Sequence, residues 1–178
     1  AAGAFADSPV GYSFVALHMG YALALLARMQ EGISMLEGTV AIAESKGFVA
    51  RHALRLAYLA ESYLLDGRPQ AARDIAVRAV GLARDLDERA NCAFALRVLA
   101  RVHAALDEWR DADLHCRAAL KLSEDLAMRP LQAHCLAGLG DVYAARGDAV
   151  AAARHRENAT ALAKTLRMSS ASDLYCRA

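Results

Sequence analysis

A repeat of 40 residues constrains the fold of this chain more than any other feature of its sequence. When the sequence is written in rows of 40, residues of similar size fall into the same columns in four successive rows. The clearest columns are Met19, Leu59, Leu99 and Leu139; Gly20, Ala60, Ala100 and Gly140; Gly32, Ala72, Ala112 and Ala152; and Ile42, Leu82, Leu122 and Leu162. Because a fixed period of this length is the signature of stacked repeats, each row is expected to form one structural unit.

Each row has the pattern of two helices. Large apolar residues recur three and four positions apart, which makes a helical stripe, and small residues recur where two helices must cross closely. A break separates the two stripes: Gly67 and Gly147 suit the left-handed end of a first helix, and Pro69 suits the opening turn of a second. The sequence therefore predicts eight helices, at about 9–28, 31–46, 50–66, 69–86, 90–106, 109–127, 130–146 and 149–167.

The composition favours an all-α protein and limits its function. Alanine supplies 42 of the 178 residues and the hydrophobic share is 56%, which favours helices around a sizeable buried core. The 21 basic and 20 acidic residues leave a net charge of +1, so no general field attracts nucleic acid or an anionic membrane. We therefore expect neither a nucleic-acid partner nor a membrane partner.

An uncharged stretch near the start has to be compared with a membrane span. No Asp, Glu, Lys or Arg occurs between residues 8 and 27, and about 20 apolar residues are enough to cross a bilayer. The stretch nevertheless contains Pro9, Gly11 and His18, lacks the basic start of a signal peptide, and follows the repeat. A buried first helix is the prediction.

The cysteines and histidines do not form the pattern of a catalytic or metal site. Cys92, Cys116, Cys135 and Cys176 contain no CxxC pair, which favours reduced thiols in a cytoplasm. His115 precedes Cys116 and His134 precedes Cys135, but neighbours on a helix point about 100° apart and cannot readily act on one atom. A phosphate-binding glycine motif is also absent from the sequence. We expect no catalytic residue, no cofactor and no metal in this chain.

The repeat resembles the tetratricopeptide (TPR) family, in which a bulky, bulky, small, aromatic run on the first helix is answered by two small residues on the second. The second row shows Leu56, Leu59, Ala60 and Tyr63, answered by Ala72 and Ala79; the fourth shows Leu136, Leu139, Gly140 and Tyr143, answered by Ala152 and Ala159. The usual period is about 34 residues, so these rows predict longer helices, and the third row departs from the pattern with His103 in the aromatic column. The resemblance implies an all-α, TPR-like α-solenoid, a right-handed superhelix of antiparallel helix hairpins.

Four repeats are expected, at about 12–49, 50–89, 90–129 and 130–168. Residues 1–11 would form an N-terminal extension, and 169–178 a C-terminal cap or the start of a truncated next repeat. Segments 50–68 and 126–140 also resemble the C-terminal repeat regions of large bacterial signalling proteins that carry a class III nucleotide cyclase domain and an ATPase domain upstream. This resemblance, with a first residue that is not Met, implies an excised C-terminal part of such a protein.

In a tetratricopeptide superhelix the first helices line the concave surface, so the resemblance implies a groove built from columns beside the packing stripe. The predicted concave-face residues are Phe14, Tyr21, Leu54, Glu61, Phe94, Arg97, Arg101, His134 and Asp141. Arg97 and Arg101 lie one turn apart and could together hold a carboxylate or phosphate of a partner. The alternative is that both arginines are solvated or paired with Glu61 and Asp141.

These features predict a protein-interaction scaffold and not an enzyme. The leading hypothesis is the regulatory C-terminal part of a cytoplasmic bacterial signalling protein, which binds a peptide segment or other domains of its own parent chain. Two alternatives stay open: a stand-alone peptide-binding adaptor, and a ligand sensor with a pocket around His134, Arg97 and Arg101. An exposed last hairpin would also favour a homodimer.

Overall fold

The computed structural model describes residues 9–168, with side chains from residue 13 onward, and this part of the chain consists of helices and short turns. The helices are α1 Pro9–Leu25, α2 Met29–Lys46, α3 His52–Leu65, α4 Pro69–Asp85, α5 Arg89–Ala105, α6 Trp109–Asp125, α7 Arg129–Ala145 and α8 Ala149–Thr165. The prediction of an all-α chain is confirmed over the described residues, and the predicted helix ends lie within about three residues of the observed ones.

Every helix ends in the same left-handed turn, which is why the predicted C-terminal ends were slightly too long. The residue with positive φ recurs every 20 positions, at Ala27, Gly47, Gly67, Asp87, Asp107, Ala127, Gly147 and Arg167. The next backbone N–H donates to the carbonyl five residues back, as from Arg68 to Tyr63 at 2.9 Å and from Met128 to Ser123 at 2.8 Å. This Schellman arrangement satisfies carbonyls that a helix leaves open, and it imposes the turn even on residues that disfavour positive φ.

The helices pair into hairpins, α1 with α2, α3 with α4, α5 with α6 and α7 with α8. Each later first helix also packs against both helices of the preceding hairpin. Successive first helices contact one another, whereas the second helices of the described chain do not. The first helices therefore lie on the inner side of the stack, where the resemblance places the groove.

Small residues occupy the close helix crossings, as their columns predict. Ala72 and Ala112 are completely buried, and large apolar side chains such as Leu56 fill the space between hairpins. The first crossing is too close for a side chain at Gly32, because an added Cβ would lie 2.6 Å from the backbone oxygen of Gly20. Glycine at this position is therefore required by the approach of two backbones.

The uncharged first helix belongs to the solenoid. Ala16, Leu17 and Ala24 of α1 are buried. Across residues 9–168, none of the helices combines the length and the apolar character that crossing a membrane requires. Cys92, Cys116 and Cys135 are free thiols in the interior. Cys176, most of the predicted N-terminal extension and the predicted C-terminal cap lie outside the described residues and stay predictions.

Candidate functional site

A cavity of about 400 Å³ opens on the inner side of the stack, between the first helices of all four hairpins. It is lined by Tyr21, Leu25, Glu61, Leu65, Phe94, Arg97, Arg101, Met128, Pro130, Leu131 and His134. Six residues predicted for the concave face therefore meet here: Tyr21, Glu61, Phe94, Arg97, Arg101 and His134. We call this space the groove cavity.

A buried ion cluster forms the polar floor of the groove cavity. Arg97 Nη2 donates to Glu61 Oε2 at 2.6 Å, and the guanidinium of Arg101 donates to Glu61 Oε1. The hydroxyl of Tyr21 donates to Glu61 Oε2 at 2.7 Å. Tyr21, Glu61 and Arg101 are spaced 40 residues apart, so they occupy one column of the repeat and the stacking of hairpins brings them together.

The cluster keeps Glu61 ionised although its side chain is only 3% exposed. Burial raises the pKa of Glu61, but attraction to Arg97 and Arg101, with hydrogen bonds from Arg97 and Tyr21, outweighs burial and lowers it to about 2. Burial and the neighbouring carboxylate raise the pKa of Tyr21, so its hydroxyl remains a donor. The guanidinium groups of Arg97 and Arg101 thus share one buried carboxylate.

Arg97 and Arg101 are paired inside the groove cavity. Both arginines bind Glu61, as the second interpretation of their role expects. Asp141, the other acidic residue in that column, accepts a hydrogen bond of 2.8 Å from Arg156 of α8. A partner that approaches the groove therefore meets guanidinium groups that already hold an internal carboxylate.

His134 forms part of the cavity wall on α7 and is half-buried. Burial and the positive charge of Arg97 lower its pKa, Arg101 adds to this effect, and together they outweigh the attraction of Glu61 and bring the pKa to about 4. His134 is therefore neutral near pH 7. A neutral imidazole presents one donor and one acceptor nitrogen.

A row of aromatic rings extends from the groove cavity towards the N-terminal part of α1. Tyr21 and Tyr58 are stacked with ring centroids 3.9 Å apart, and Phe94 meets Tyr58 edge-to-face at 5.4 Å. His18 lies 5.9 Å from Tyr58, and Phe14 lies 5.1 Å from His18. We call these five side chains the aromatic row. Rings of this kind present a large, rigid contact surface with little side-chain entropy to lose.

The sequence analysis missed His18 and Tyr58, which share one column of the repeat. The signal that points to them is the spacing within α1: Phe14, Leu17, His18 and Tyr21 stand at positions i, i+3, i+4 and i+7, which form one helical face. The predicted concave-face residues share columns with Phe14, Leu17 and Tyr21. The column of His18 was left out, and its member Tyr58 is the ring that contacts His18, Tyr21 and Phe94.

Three predicted concave-face residues lie outside the groove cavity. Phe14 begins the aromatic row and is 37% exposed. Leu54 belongs to the buried core and offers little surface to a partner. Asp141 lines a second cavity of about 160 Å³, which shares Arg97 and Arg101 with the groove cavity.

The thiols of this region are packed as core groups. Cys116 Sγ donates a hydrogen bond of 3.1 Å to the carbonyl oxygen of Cys135. The side-chain interaction with Cys135, together with burial, raises the pKa of the Cys116 thiol. A thiol with a raised pKa carries little of the reactive thiolate. Cys135 is completely buried, whereas the adjacent His134 lines the groove cavity, so the two side chains diverge as helix geometry predicts.

Among residues 9–168, one group of three side chains has a spacing that suits a metal ion. The ligand atoms of His103, Glu108 and Asp111 all lie within 4.8 Å of one another. Glu108 is already shared, because one oxygen lies 2.5 Å from His103 Nδ1 and the other 3.1 Å from Arg73 Nη1. The nearby guanidinium opposes a cation. We interpret the group as a contact that ties α4 to the third hairpin.

Comparison with known proteins identifies the fold. No protein-family model matches the sequence, and no curated protein matches it. The structure is similar to that of BtubC (BKLC) from P. vanneervenii, with a TM-score of 0.74 and 17% identity over 90% of this chain and 66% of that one. The chain thus spans slightly less than two thirds of the BtubC chain.

Two further crystal structures come from a kinesin-light-chain-type protein of Podosopora anserina with nearly identical TPR-like repeats. The structure of its single-residue variant has a TM-score of 0.67 and 21% identity, covering 90% of this chain and 78% of that one. The other structure has a TM-score of 0.68 and 18% identity, covering 87% and 76%. At these identities the likeness concerns the fold, and over its described residues the chain is a TPR-like α-solenoid.

Proposed function

We propose that this chain is a protein-interaction module, without a catalytic reaction of its own, which binds an extended peptide segment along the aromatic row and the groove cavity. The observation that carries the proposal is the continuity of these two features across successive first helices. An extended segment that crosses the hairpins would meet Phe14, His18, Tyr58 and Phe94 in turn and then the apolar walls of the cavity.

The chemistry of the groove favours apolar side chains in the partner. The arginines on the floor already hold Glu61, so the surface that remains is chiefly aromatic and aliphatic. Aromatic anchors in a concave surface dominate the binding energy of many interfaces.

A peptide-display selection against the purified chain tests the proposal. The dissociation constant of a selected peptide is measured by fluorescence anisotropy for the wild type, for Leu25→Glu in the cavity wall and for Leu114→Glu on α6. Both leucines are exposed, at 42% and 61%, so neither substitution disturbs the core. We expect Leu25→Glu to weaken binding at least tenfold, about 1.4 kcal/mol, and Leu114→Glu to leave it unchanged. Equal effects of the two substitutions would contradict groove binding.

A ligand sensor is the second candidate, because the groove cavity has the size of a small-molecule site. Such sites span roughly 300–1,000 Å³, are mostly apolar and contain a few convergent polar groups, which here are Tyr21, Arg97, Arg101 and His134. Native mass spectrometry of the freshly purified chain tests this candidate. An adduct of defined mass that disappears in a Leu25→Trp variant, which adds bulk at the exposed cavity wall, would support a ligand.

We further propose that the module is the C-terminal regulatory part of a larger, cytoplasmic bacterial signalling protein. The resemblance of segments 50–68 and 126–140 supports this, and the three buried free thiols agree with a reducing compartment. The full reading frame of the gene is the test. Upstream cyclase and ATPase domains are the expected result, whereas a start codon next to Ala1 would favour the stand-alone adaptor.

A further inference from the structure

The second cavity, which Asp141 lines, lies between the third and fourth hairpins. Its volume is about 160 Å³, and it shares Arg97 and Arg101 with the groove cavity. Apart from these arginines and Asp141, its lining consists of apolar or small residues of α3, α5, α6 and α7. Ala105 and Asp141 are exposed, so the cavity opens to solvent next to the groove. A segment that occupies the groove cavity can therefore reach it.

The repeat explains the origin of this space. Three columns that carry large apolar side chains one repeat earlier carry small residues at the second cavity. The pairs are Leu64 and Ala104, Leu65 and Ala105, and Val98 and Gly138. Val98 is completely buried and Leu64 is 7% exposed, so these larger members are packed into the stack. Since smaller side chains leave a cavity where the surroundings do not collapse, the second cavity is the space that these three positions open.

The volume and the lining of the second cavity define what it can receive. An apolar cavity of roughly 150 Å³ is large enough for one benzene molecule. The second cavity therefore suits one phenyl ring or one branched aliphatic group. Its walls at Ala104, Ala112 and Gly138 carry no side-chain donor or acceptor, so a polar group placed against them would lose its hydration without replacement.

We propose that the second cavity is a specificity pocket for one leucine or phenylalanine side chain of the partner segment, which rests on the peptide binding proposed above. Because the pocket opens beside the groove cavity, the segment can keep its backbone in the groove while this single side chain enters between α5 and α7. Burial of an apolar side chain in a preformed recess contributes affinity without the cost of ordering the recess. The pocket thereby selects a partner by the size and polarity of one residue.

Titration of the methyl-labelled chain with benzene tests the pocket itself, without any peptide. Two-dimensional NMR follows the methyl groups of Leu64 and Val142, which line the second cavity. We expect saturable shifts of both in the wild type. Ala104→Leu restores the residue that the preceding repeat has in this column and fills the space, so it should abolish the shifts. Ala104 is half-buried, and thermal unfolding will verify that the variant keeps at least the wild-type Tm.

Ala105→Leu is a second filling variant, since Ala105 lies at the exposed mouth and a larger side chain there needs no adjustment of the core. It should weaken the response to benzene as well. Ala90→Leu is the matched control, because Ala90 is exposed near the start of the same helix, and it should respond as the wild type does. A wild type whose Leu64 and Val142 methyl groups do not respond overturns the pocket. So does a response that survives both filling variants, and so does one that Ala90→Leu removes equally.

The selected peptide provides the second arm of the test. Each of its residues is replaced by alanine in turn, and the dissociation constant is measured for the wild type and for Ala104→Leu. Truncation of one leucine or phenylalanine should weaken binding at least about tenfold with the wild type and less than about threefold with Ala104→Leu, because the filled pocket no longer receives that side chain. Equal losses with both proteins overturn this role of the pocket. A selection that yields no peptide contradicts the proposed function alone, and the benzene titration then decides whether the pocket accepts an apolar group.

Discussion

Replacing Glu61 by Gln removes the carboxylate charge that Arg97 and Arg101 share, at nearly constant volume. The two arginine side chains are only 6% and 11% exposed, so both would remain as poorly hydrated cations without this carboxylate. Removing one member of a buried ion pair typically costs about 3–5 kcal/mol. The Gln amide oxygen can still accept one hydrogen bond, so we expect the lower end of this range, about 3 kcal/mol.

The assay is urea and thermal unfolding, followed by far-ultraviolet circular dichroism, which reads the loss of helix in a single cooperative transition. At about 2–4 °C per kcal/mol for a chain of this size, the expected loss lowers Tm by about 6–12 °C. Glu31→Gln is the matched control, because Glu31 binds Arg28 at 2.6 Å but is 60% exposed. The same chemical change there should have little effect on stability, since an exposed ion pair is hydrated and screened by salt.

The pH dependence of the Glu61→Gln effect provides a second test. The pKa of Glu61 is about 2 in the folded chain, against an ordinary value of 4.5. The carboxylate therefore stabilises the fold above pH 4.5, and this contribution is lost as the pH falls from 4.5 towards 2. The difference in unfolding free energy between wild type and variant should shrink over that interval. A difference below about 0.5 kcal/mol at pH 7 would refute the proposed role of the cluster.

Three other perturbations follow from the structure. The pKa of His134 is about 4 in the folded chain and 6.5 ordinarily, so the unfolded chain binds a proton first as the pH falls. The free energy of unfolding should therefore decrease between pH 6.5 and 4, and urea unfolding at several pH values should show a smaller decrease in His134→Gln. Gly32→Ala should lower the free energy of unfolding in urea by about 1–3 kcal/mol, because the new Cβ would lie 2.6 Å from a backbone oxygen. Gly38→Ala on the same helix is the control: its Cβ meets nothing within 4 Å, so it should stabilise the fold by about 0.5–1 kcal/mol. Ala127→Gly should raise the free energy of unfolding by about 1 kcal/mol, because φ is 53° at Ala127 and glycine adopts positive φ without strain. Ala153→Gly inside α8 should lower the free energy of unfolding by a similar amount. Equal effects of the two substitutions would argue against the left-handed turn at the end of the helix.

Most of the fold could be predicted from the sequence because its determinants are local and repeated. The apolar stripes establish the helices, and the small columns establish where helices cross. Pro69 and Gly67 mark one break, and the observed turn falls at that position. The left-handed turn at Ala127 was not predicted, because alanine does not signal positive φ. The common spacing of 20 residues between the turns was the available clue.

The candidate site was predicted less completely. Columns identify which residues share a face, so Tyr21, Glu61 and Arg101 could be assigned to one column that lines the groove. They do not show that Arg97 and Arg101 both bind Glu61, because a long guanidinium side chain can reach acceptors on several neighbouring turns. Tyr58 was missed for a related reason, since its ring becomes part of the site only by stacking on Tyr21 of the preceding hairpin.

The sequence by itself thus determined the helices, their order and the faces on which they pack, since each depends on a periodicity of neighbouring residues. Tertiary structure alone decided which side chains of different hairpins meet. The small rotation and shift from one hairpin to the next depend on the packing of the whole core, and they place Glu61 between two arginines. The same stacking buries one face of each later first helix, as at Leu59, Leu99 and Leu139.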